Sequence, residues 1–517
     1  MKRIMSTILL FALLLPLMCG CNADTQEAYV PTGSGLTWDD DSVSGSGDNQ
    51  VTDQSLTLTY YPNVTMNPLL CTDYTNRALF GLLYQSLFTV DRSYNVEPLL
   101  CKNYRMTQDM KTYTFYIADA TFTDGSRLTV EDVAATLLAA KESTYYGGRF
   151  GQISSIGFSE DGGITVKTKV PMENLPLLLD IPIIKASQLQ ENCPLGTGPY
   201  YLDTSTQNPL LRRNNNWWCN ADMVITAPAI ALKKATSISD IRDDFEFNGL
   251  NLVCADPGSD EYADYRCDYE LWDCENGIFL YLACNMESPV FSNPTIRAAL
   301  TYGINRDALC SDYYRGFARA AELPASPQAP FYSPTLAARY SYDPERFAQV
   351  IESTSGARQE IILLVNKDDS LRLRAARAIA TMLTEAGMKV TMSEKSTKSY
   401  QNALKRKEYD LYLGQTKLSP NMDLSVFFSS KGALNYGGIR DEAINILCNN
   451  ALANHGNYYT LHKRIMDDGR LCPVLLRSYA VYATRGLVTG LTPSRDNVFY
   501  YSLGRTMENA LLKDENS

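Results

Sequence analysis

The chain has 517 residues, with 47 basic against 58 acidic side chains, a formal net charge of −11 and a pI near 5.0. That balance excludes the basic footprint a nucleic-acid partner needs, and the length exceeds what one ordinary core organises, so two lobes or more are expected. Thirteen cysteines in so large a chain do not amount to the disulfide framework of a small secreted domain.

Lys2 and Arg3 precede a mostly apolar run from Ile4 to Met18. A transmembrane helix needs about 20 apolar residues, so this shorter run reads as a secretory signal peptide over residues 1–20. Its exit, Met18-Cys19-Gly20-Cys21, resembles the bacterial lipoprotein box of an aliphatic residue, two small residues and Cys. The resemblance implies cleavage before Cys21 and its acylation; Cys19 fits worse, because Met18 would fill a small position. Buried methylenes contribute about 0.8 kcal/mol each, so a doubly acylated Cys21 would hold a soluble body at a membrane surface. No later stretch is apolar for long enough to span a bilayer.

Removing Cys19 and Cys21 from the thirteen cysteines leaves eleven, an odd number, so complete pairing is impossible. Cys267 and Cys274 are the closest two in sequence. From Asn22 to Ser55 the chain has seven acids, no Lys or Arg, and much Gly, Ser and Thr. Such a segment cannot bury enough apolar surface to fold alone; residues 21–55 read as a flexible acidic tether.

Leu56–Tyr61 has the β-branched and aromatic character of a strand, ended by Asn67-Pro68. Leu79, Leu82, Leu83 and Leu87 recur at helical spacing and predict a helix over 76–88. Thr112–Ile117 reads as a strand, and Phe122-Thr123-Asp124-Gly125 as a turn. Thr129 is placed to N-cap a helix over 130–141, with Glu131 and Asp132 at its positive end.

In the second half, Glu360–Val365 reads as a buried strand, Leu371–Ala386 as an amphipathic helix stopped by Gly387, and Lys389–Met392 as a strand. A helix over Ser399–Arg406 and a strand over Tyr409–Gly414 complete a β-α-β-α-β run, the pattern of a parallel sheet with right-handed crossovers. Ligands of open parallel sheets lie beyond the carboxyl ends of the strands. That rule points to Asn366, Ser393 and above all Gln415-Thr416.

Enzyme signatures are missing: there is no Walker A sequence, G-x-S-x-G, H-E-x-x-H or C-x-x-C pair of zinc-ribbon spacing. The two histidines, His455 and His462, would share a helix face without an obvious third metal ligand. A pair such as Asp243-Asp244 reads as a solvated helix face. No cofactor or metal is expected.

Three ordered segments carry a family resemblance. Phe122 to Val133 (FTDGSRLTVEDV) matches a Phe-x-Asp-Gly-x-x-Leu-Thr-Ala-Glu-Asp-Val pattern with Val130 in place of Ala. Pro194 to Tyr200 (PLGTGPY) is the second, and Ile296 to Leu309 (IRAALTYGINRDAL) is the third. Together they resemble the family 5 extracellular solute-binding proteins, the dipeptide- and oligopeptide-binding components of bacterial ABC importers. Most motif residues also have structural readings, such as a turn glycine at Gly125 and a helix start at Asn293-Pro294.

The resemblance implies an α/β, two-lobed periplasmic-binding-protein-like fold of the class with an extra subdomain, closing by a hinge between the lobes. Lobe one would comprise 56–284 plus 477–510, and lobe two 285–476. It implies no enzyme activity, a peptide or similar small solute as ligand, ABC permease subunits and membrane lipid as partners, and a monomer outside the cell membrane or in the periplasm. A ligand-sensing receptor feeding a membrane signalling partner is the alternative, and an extracellular hydrolase a weaker one.

In the family, an Asp that receives the peptide's amino group lies just after the strand corresponding to Tyr409–Gly414, in a Gly-Trp-x-x-Asp-x-x-Asp-Pro segment. Here the segment is Gly414 to Asp423 (GQTKLSPNMD): Gln415 replaces Trp, Ser419-Pro420 replaces Asp-Pro, and Asp423 is the one acid nearby. Asp423 could equally cap the helix that follows. Tyr84-Gln85-Ser86-Leu87 departs likewise from the usual Tyr-Glu-Gly-Leu. The candidate ligand-binding residues are therefore Tyr61, Gln85, Gln415, Thr416, Asn421 and Asp423.

Overall fold

A computed structural model describes residues 56–512, apart from 220, 222, 224, 489 and 496. The segments expected as signal peptide and tether, with the candidate acylation site Cys21, lie outside the described residues. Leu56–Tyr60 forms a strand that pairs in parallel with Ala229–Lys234, which continues antiparallel through Leu210–Arg213 to Tyr200–Asp203. Cys101–Met106, Thr112–Ile117, Ile164–Thr168 and Ile153–Phe158 make a separate antiparallel sheet.

Alternation in TYTFYI puts Tyr113 and Phe115 on the buried face, where the Phe115 ring meets Phe88 at 5.5 Å and Tyr104 at 6.1 Å. The helix Val130–Glu142 covers this region. Thr129 caps it as expected and forms a reciprocal capping box with Asp132, which satisfies two otherwise orphan donors.

The helix expected over 76–88 is instead two short turns, Tyr74–Arg77 and Phe80–Leu83, followed by extended chain at Tyr84. Backbone partners elsewhere draw the segment out: Gly198 N–H donates to Leu83 O at 3.1 Å and Ile183 N–H to Gln85 O at 2.8 Å. Periodicity alone could not weigh those long-range bonds against one more helical turn.

The β-α-β-α-β run forms as Glu360–Asn366, Ser370–Glu385, Lys389–Lys395, Thr397–Arg406 and Leu411–Lys417. Its first strand pairs in parallel with both others. The last strand runs past Gly414, so Gln415 and Thr416 lie within it rather than beyond its end. The reason is its antiparallel neighbour Tyr269–Cys284, whose Leu280 and Phe279 pair with them. Asn366 and Ser393 are likewise within strands, and Asn366 bonds to Thr397 Oγ1 at 3.1 Å.

Arg306, in the third motif, is 2 % exposed and ties loops together: it donates to the carbonyls of Thr301, Ala321 and Pro473 at 3.0–3.1 Å. His455 sits in a 3-10 turn, and His462 in the helix Tyr458–Asp468, so the two are not on one helix. Cys267 carries a free thiol, so no bridge joins it to Cys274.

One apolar core gathers residues from Leu56 to Leu232 with Val481 and Ala483; a second gathers Leu280 to Leu413 with Leu475. A third joins Val90, Tyr94 and Leu177 to Phe279, Tyr281 and Tyr412, packing the two halves on each other.

Two predictions follow from packing. A Cβ on Gly198 would lie 2.4 Å from the Leu83 carbonyl carbon, so Gly198→Ala should cost about 1–3 kcal/mol in urea unfolding; an unchanged midpoint would contradict this close approach. His462 is fully buried with neither ring nitrogen hydrogen-bonded, and burial holds its imidazole down to about 3 from 6.5. The unfolded chain then binds a proton below pH 6.5 that the folded chain refuses until about pH 3, so stability falls as pH drops through that window. By pH 5 the loss is about 2 kcal/mol, and His462→Phe should remove that part of the pH 7-to-5 decline.

Candidate functional site

Two long strands, Tyr269–Cys284 and Leu471–Thr484, pair antiparallel along most of their length and run from one core to the other. Their ladder is broken between Glu275 and Phe279, where Gly277 has φ of 72°. Here a bulge lets the strands change direction as they leave one lobe for the other. Polar side chains cluster at the crossing, with Glu275, Asn276, Arg477 and Ser478 all buried.

Those buried charges are partnered, as the low dielectric requires. Glu275 accepts from Tyr94 Oη through one oxygen and from Ser326 Oγ at 2.7 Å through the other. Asp273 accepts from both Arg92 and Arg319 at 2.8 Å. Arg477 donates to both oxygens of Asp256 at 2.9 Å. Burial beside the Glu275 carboxylate pushes the Tyr94 phenol far up, so it remains a hydrogen-bond donor.

Beside the crossing lies a cavity of about 70 Å³. Among the described residues its charged lining comprises Arg77, Arg149, Arg495 and Asp180, with Tyr145, Tyr146 and Gln85 among its other walls. Arg77 donates to the carbonyls of Pro68 and Cys71 and to Tyr146 Oη at 2.8 Å, and its guanidinium stacks 3.3 Å from the Tyr145 ring centre. Arg149 pairs with Asp180 and reaches Leu178 O.

Arg495 donates to Tyr94 Oη at 3.1 Å and approaches Gly277, where a Cβ would sit 3.4 Å from its Nη2. Arg495 and Tyr94 are both non-glycine residues at positive φ, 36° and 63°. Backbone of this kind costs about 1–3 kcal/mol and persists where surrounding contacts fix it.

Lys417, at the end of its strand, donates to Asn276 O at 2.6 Å and to Tyr145 Oη at 3.0 Å. The cavity wall is thereby tied to the crossing strand and to the strand Leu411–Lys417. Further bonds between the first and second halves of the chain are Gln152 Nε2 to Ser425 Oγ at 2.9 Å and Glu173 N–H to Leu452 O at 2.9 Å.

Of the six candidate ligand residues, Gln85 lines the cavity; its amide donates to Tyr501 Oη at 2.7 Å and accepts from Trp218 Nε1 at 2.6 Å. Gln415 and Thr416 lie two and one positions before Lys417 on the strand beside the crossing. Asn421 is buried at the lobe contact, with Nδ2 3.8 Å from Met172 Sδ. Asp423 accepts from Ser425 N–H at 2.9 Å, closing a local turn. Tyr61 stands apart, packed with Ile241 and Phe245, its phenol pushed up to about 12 by burial and then by the Asp73 charge.

Sequence reasoning missed Arg77, Arg149, Arg495 and Tyr145. The cavity presents donors in fixed orientation, and among its described lining residues there is neither an imidazole nor a thiol. Its serines are engaged with backbone: Ser86 Oγ donates to Phe88 O at 2.5 Å and Ser494 Oγ to Val90 O at 2.7 Å.

A protein of Brucella ovis named as an ABC transporter peptide-binding protein is 24% identical over 345 residues, 60% of this chain and 62% of the relative. The glutathione-binding protein GsiB of Escherichia coli K12 is 24% identical over 306 residues, 54% of this chain and 56% of the relative. The alignment thus spans less than two thirds of either relative's length. In fold, the chain resembles the crystal structure of the peptide-binding protein AppA from Clostridium difficile, with a TM-score of 0.70 at 16% identity over 87% of this chain and all of the other. Residues 95–436 match the family described as bacterial extracellular solute-binding proteins, family 5 Middle. The chain belongs to the family 5 bacterial extracellular solute-binding proteins.

Proposed function

We propose that this protein captures a peptide or a similar small solute outside the cell and delivers it to the permease of an ABC importer, with no chemistry on the solute. The observation that carries this reading is a polar cavity beside strands that cross between two lobes, with Tyr145 of one lobe bonded to Lys417 of the other. Hinge bending at a few residues between lobes is the usual way such a cleft encloses its ligand. The names of the relatives from Brucella and Escherichia coli, one for peptides and one for glutathione, support the peptide class.

In this reading lobe one takes residues 56–284 and 477–510 and lobe two 285–476, with the hinge at the crossing. Gln85 contributes to the ligand site from lobe one, and Gln415, Thr416, Asn421 and Asp423 contribute from lobe two; Tyr61, packed with Ile241 and Phe245, stands outside it. The protein works as a monomer.

We also propose that Cys21 is acylated and that residues 21–55 tether the body to the outer face of the membrane. A capture protein held on the surface that carries its permease meets it at high effective concentration.

Small-angle scattering of the purified protein with a mixed library of di- to pentapeptides should show a fall in radius of gyration as the lobes close. An unchanged profile with every peptide pool would count against capture. Cys21→Ser should move the protein from the membrane to the soluble fraction; equal membrane retention would remove the lipid assignment.

A further inference from the structure

We propose that residues 172–174 clasp the second half of the chain and that protonation of His455 releases the clasp, so that the protein loosens its hold on its solute as the medium turns acid. This rests on the reading of the protein as a capture protein whose lobes close on the solute, with residues 172–174 in lobe one and the groups they meet in lobe two.

The bonds across this contact converge on one short loop. The Glu173 N–H donates to Leu452 O at 2.9 Å, and Glu173 Oε2 accepts from the His455 N–H at 3.1 Å. Beside it, buried Met172 receives Asn421 Nδ2 on its sulfur at 3.8 Å, and buried Tyr458 donates its hydroxyl to Asn421 O. Gln152 Nε2 to Ser425 Oγ at 2.9 Å extends the contact. None of these residues lies on the crossing strands Tyr269–Cys284 and Leu471–Thr484. Lobes that swing apart about the crossing must therefore break this set of bonds.

His455 is the member of the clasp that titrates near neutral pH. Its ring sits between those of Phe331 and Tyr458, at 5.3 and 6.1 Å between centres, and its Nε2 is buried without a hydrogen bond. In the charged ring both nitrogens carry hydrogen, so protonation in place leaves a buried N–H of a cation without an acceptor, which is unfavourable.

The neighbouring groups do not reverse this. Glu173, from the loop, favours the charged ring, but burial outweighs it and holds the imidazole below its ordinary 6.5. Phe331 brings no charge. From the helix Tyr458–Asp468 the facing group is Tyr458, whose phenol burial pushes far up; His462, beyond it, stays neutral down to about 3. The preceding helix, Glu442–Ala453, carries Cys448, a thiol that burial pushes up, and Glu442 at its far end.

Once the contact parts, the ring meets water and regains its ordinary value. The parted form then takes up a proton below pH 6.5 that the clasped form resists. The clasp's contribution is therefore complete above that pH and is lost as pH falls below it. Between pH 7.5 and 5.5 the balance shifts toward the parted form by at most about tenfold.

The test is small-angle scattering of the purified full-length protein, titrated with a mixed library of di- to pentapeptides at pH 7.5 and pH 5.5. Wild type, His455→Gln and Glu173→Gln are compared, with circular dichroism at both pH values to confirm an unchanged fold. Wild type should need up to about tenfold more peptide for half-contraction at pH 5.5. His455→Gln, which keeps the backbone bond to Glu173, should contract at the same peptide concentration at both. Glu173→Gln, which replaces a charged acceptor by a neutral one, should need more peptide than wild type already at pH 7.5. Equal half-points for wild type at the two pH values, the same shift in His455→Gln, or a wild-type half-point for Glu173→Gln at pH 7.5 would overturn the acid-released clasp and leave capture standing. Contraction at neither pH would overturn the capture reading, and this inference with it.

Discussion

Everything about the site depends on two strands having to serve two cores. Tyr269–Cys284 and Leu471–Thr484 pair with each other in both lobes, so each lobe's sheet or core is anchored on the same pair of backbones. A ladder that stayed regular through the crossing would make a stiff ribbon. The register shift at Glu275 to Phe279, with Gly277 at positive φ, interrupts it where the lobes part. It also leaves the polar side chains there needing partners from elsewhere, which Tyr94, Ser326, Arg92 and Arg319 supply.

Those partners come from both halves of the chain, and that explains why the cavity lies where it does. Tyr94 and Arg92 belong to the first half, Ser326 and Arg319 to the second, and all four converge on two acids of one strand. Arg495, returning from the C-terminal segment, completes the group by bonding Tyr94. Such a junction is costly to desolvate, and pairing of its charged groups offsets that cost. The cavity alongside inherits a lining of fixed, charged donors.

Much of the fold was legible in the sequence, because its signals are local. Thr129 followed by Asp132 specifies a helix start, TYTFYI specifies a half-buried strand, and EIILLV before an amphipathic helix specifies a parallel unit; all three formed. The failures were places where distant backbone decides. Leu79 to Leu87 has helical periodicity, yet Gly198 and Ile183 pair with it and pull it straight. Gln415 and Thr416 stay in the ladder because a strand more than a hundred residues away continues beside them. The cavity's arginines were invisible for a different reason. Arg77, Arg149 and Arg495 look like any of the 47 basic residues until the chain brings them together. A faint sign existed at Arg77, a lone cation within TNRALFGLL.

The central claim is that this protein holds a small solute enclosed between its lobes. Native mass spectrometry of the protein purified gently from cells grown in peptide-rich medium addresses it most directly. The account predicts a population heavier than the bare chain by the mass of a peptide-like solute, which appears as a free small molecule once the protein is denatured. A single species at the mass of the bare chain, unchanged after incubation with peptide mixtures, would contradict it.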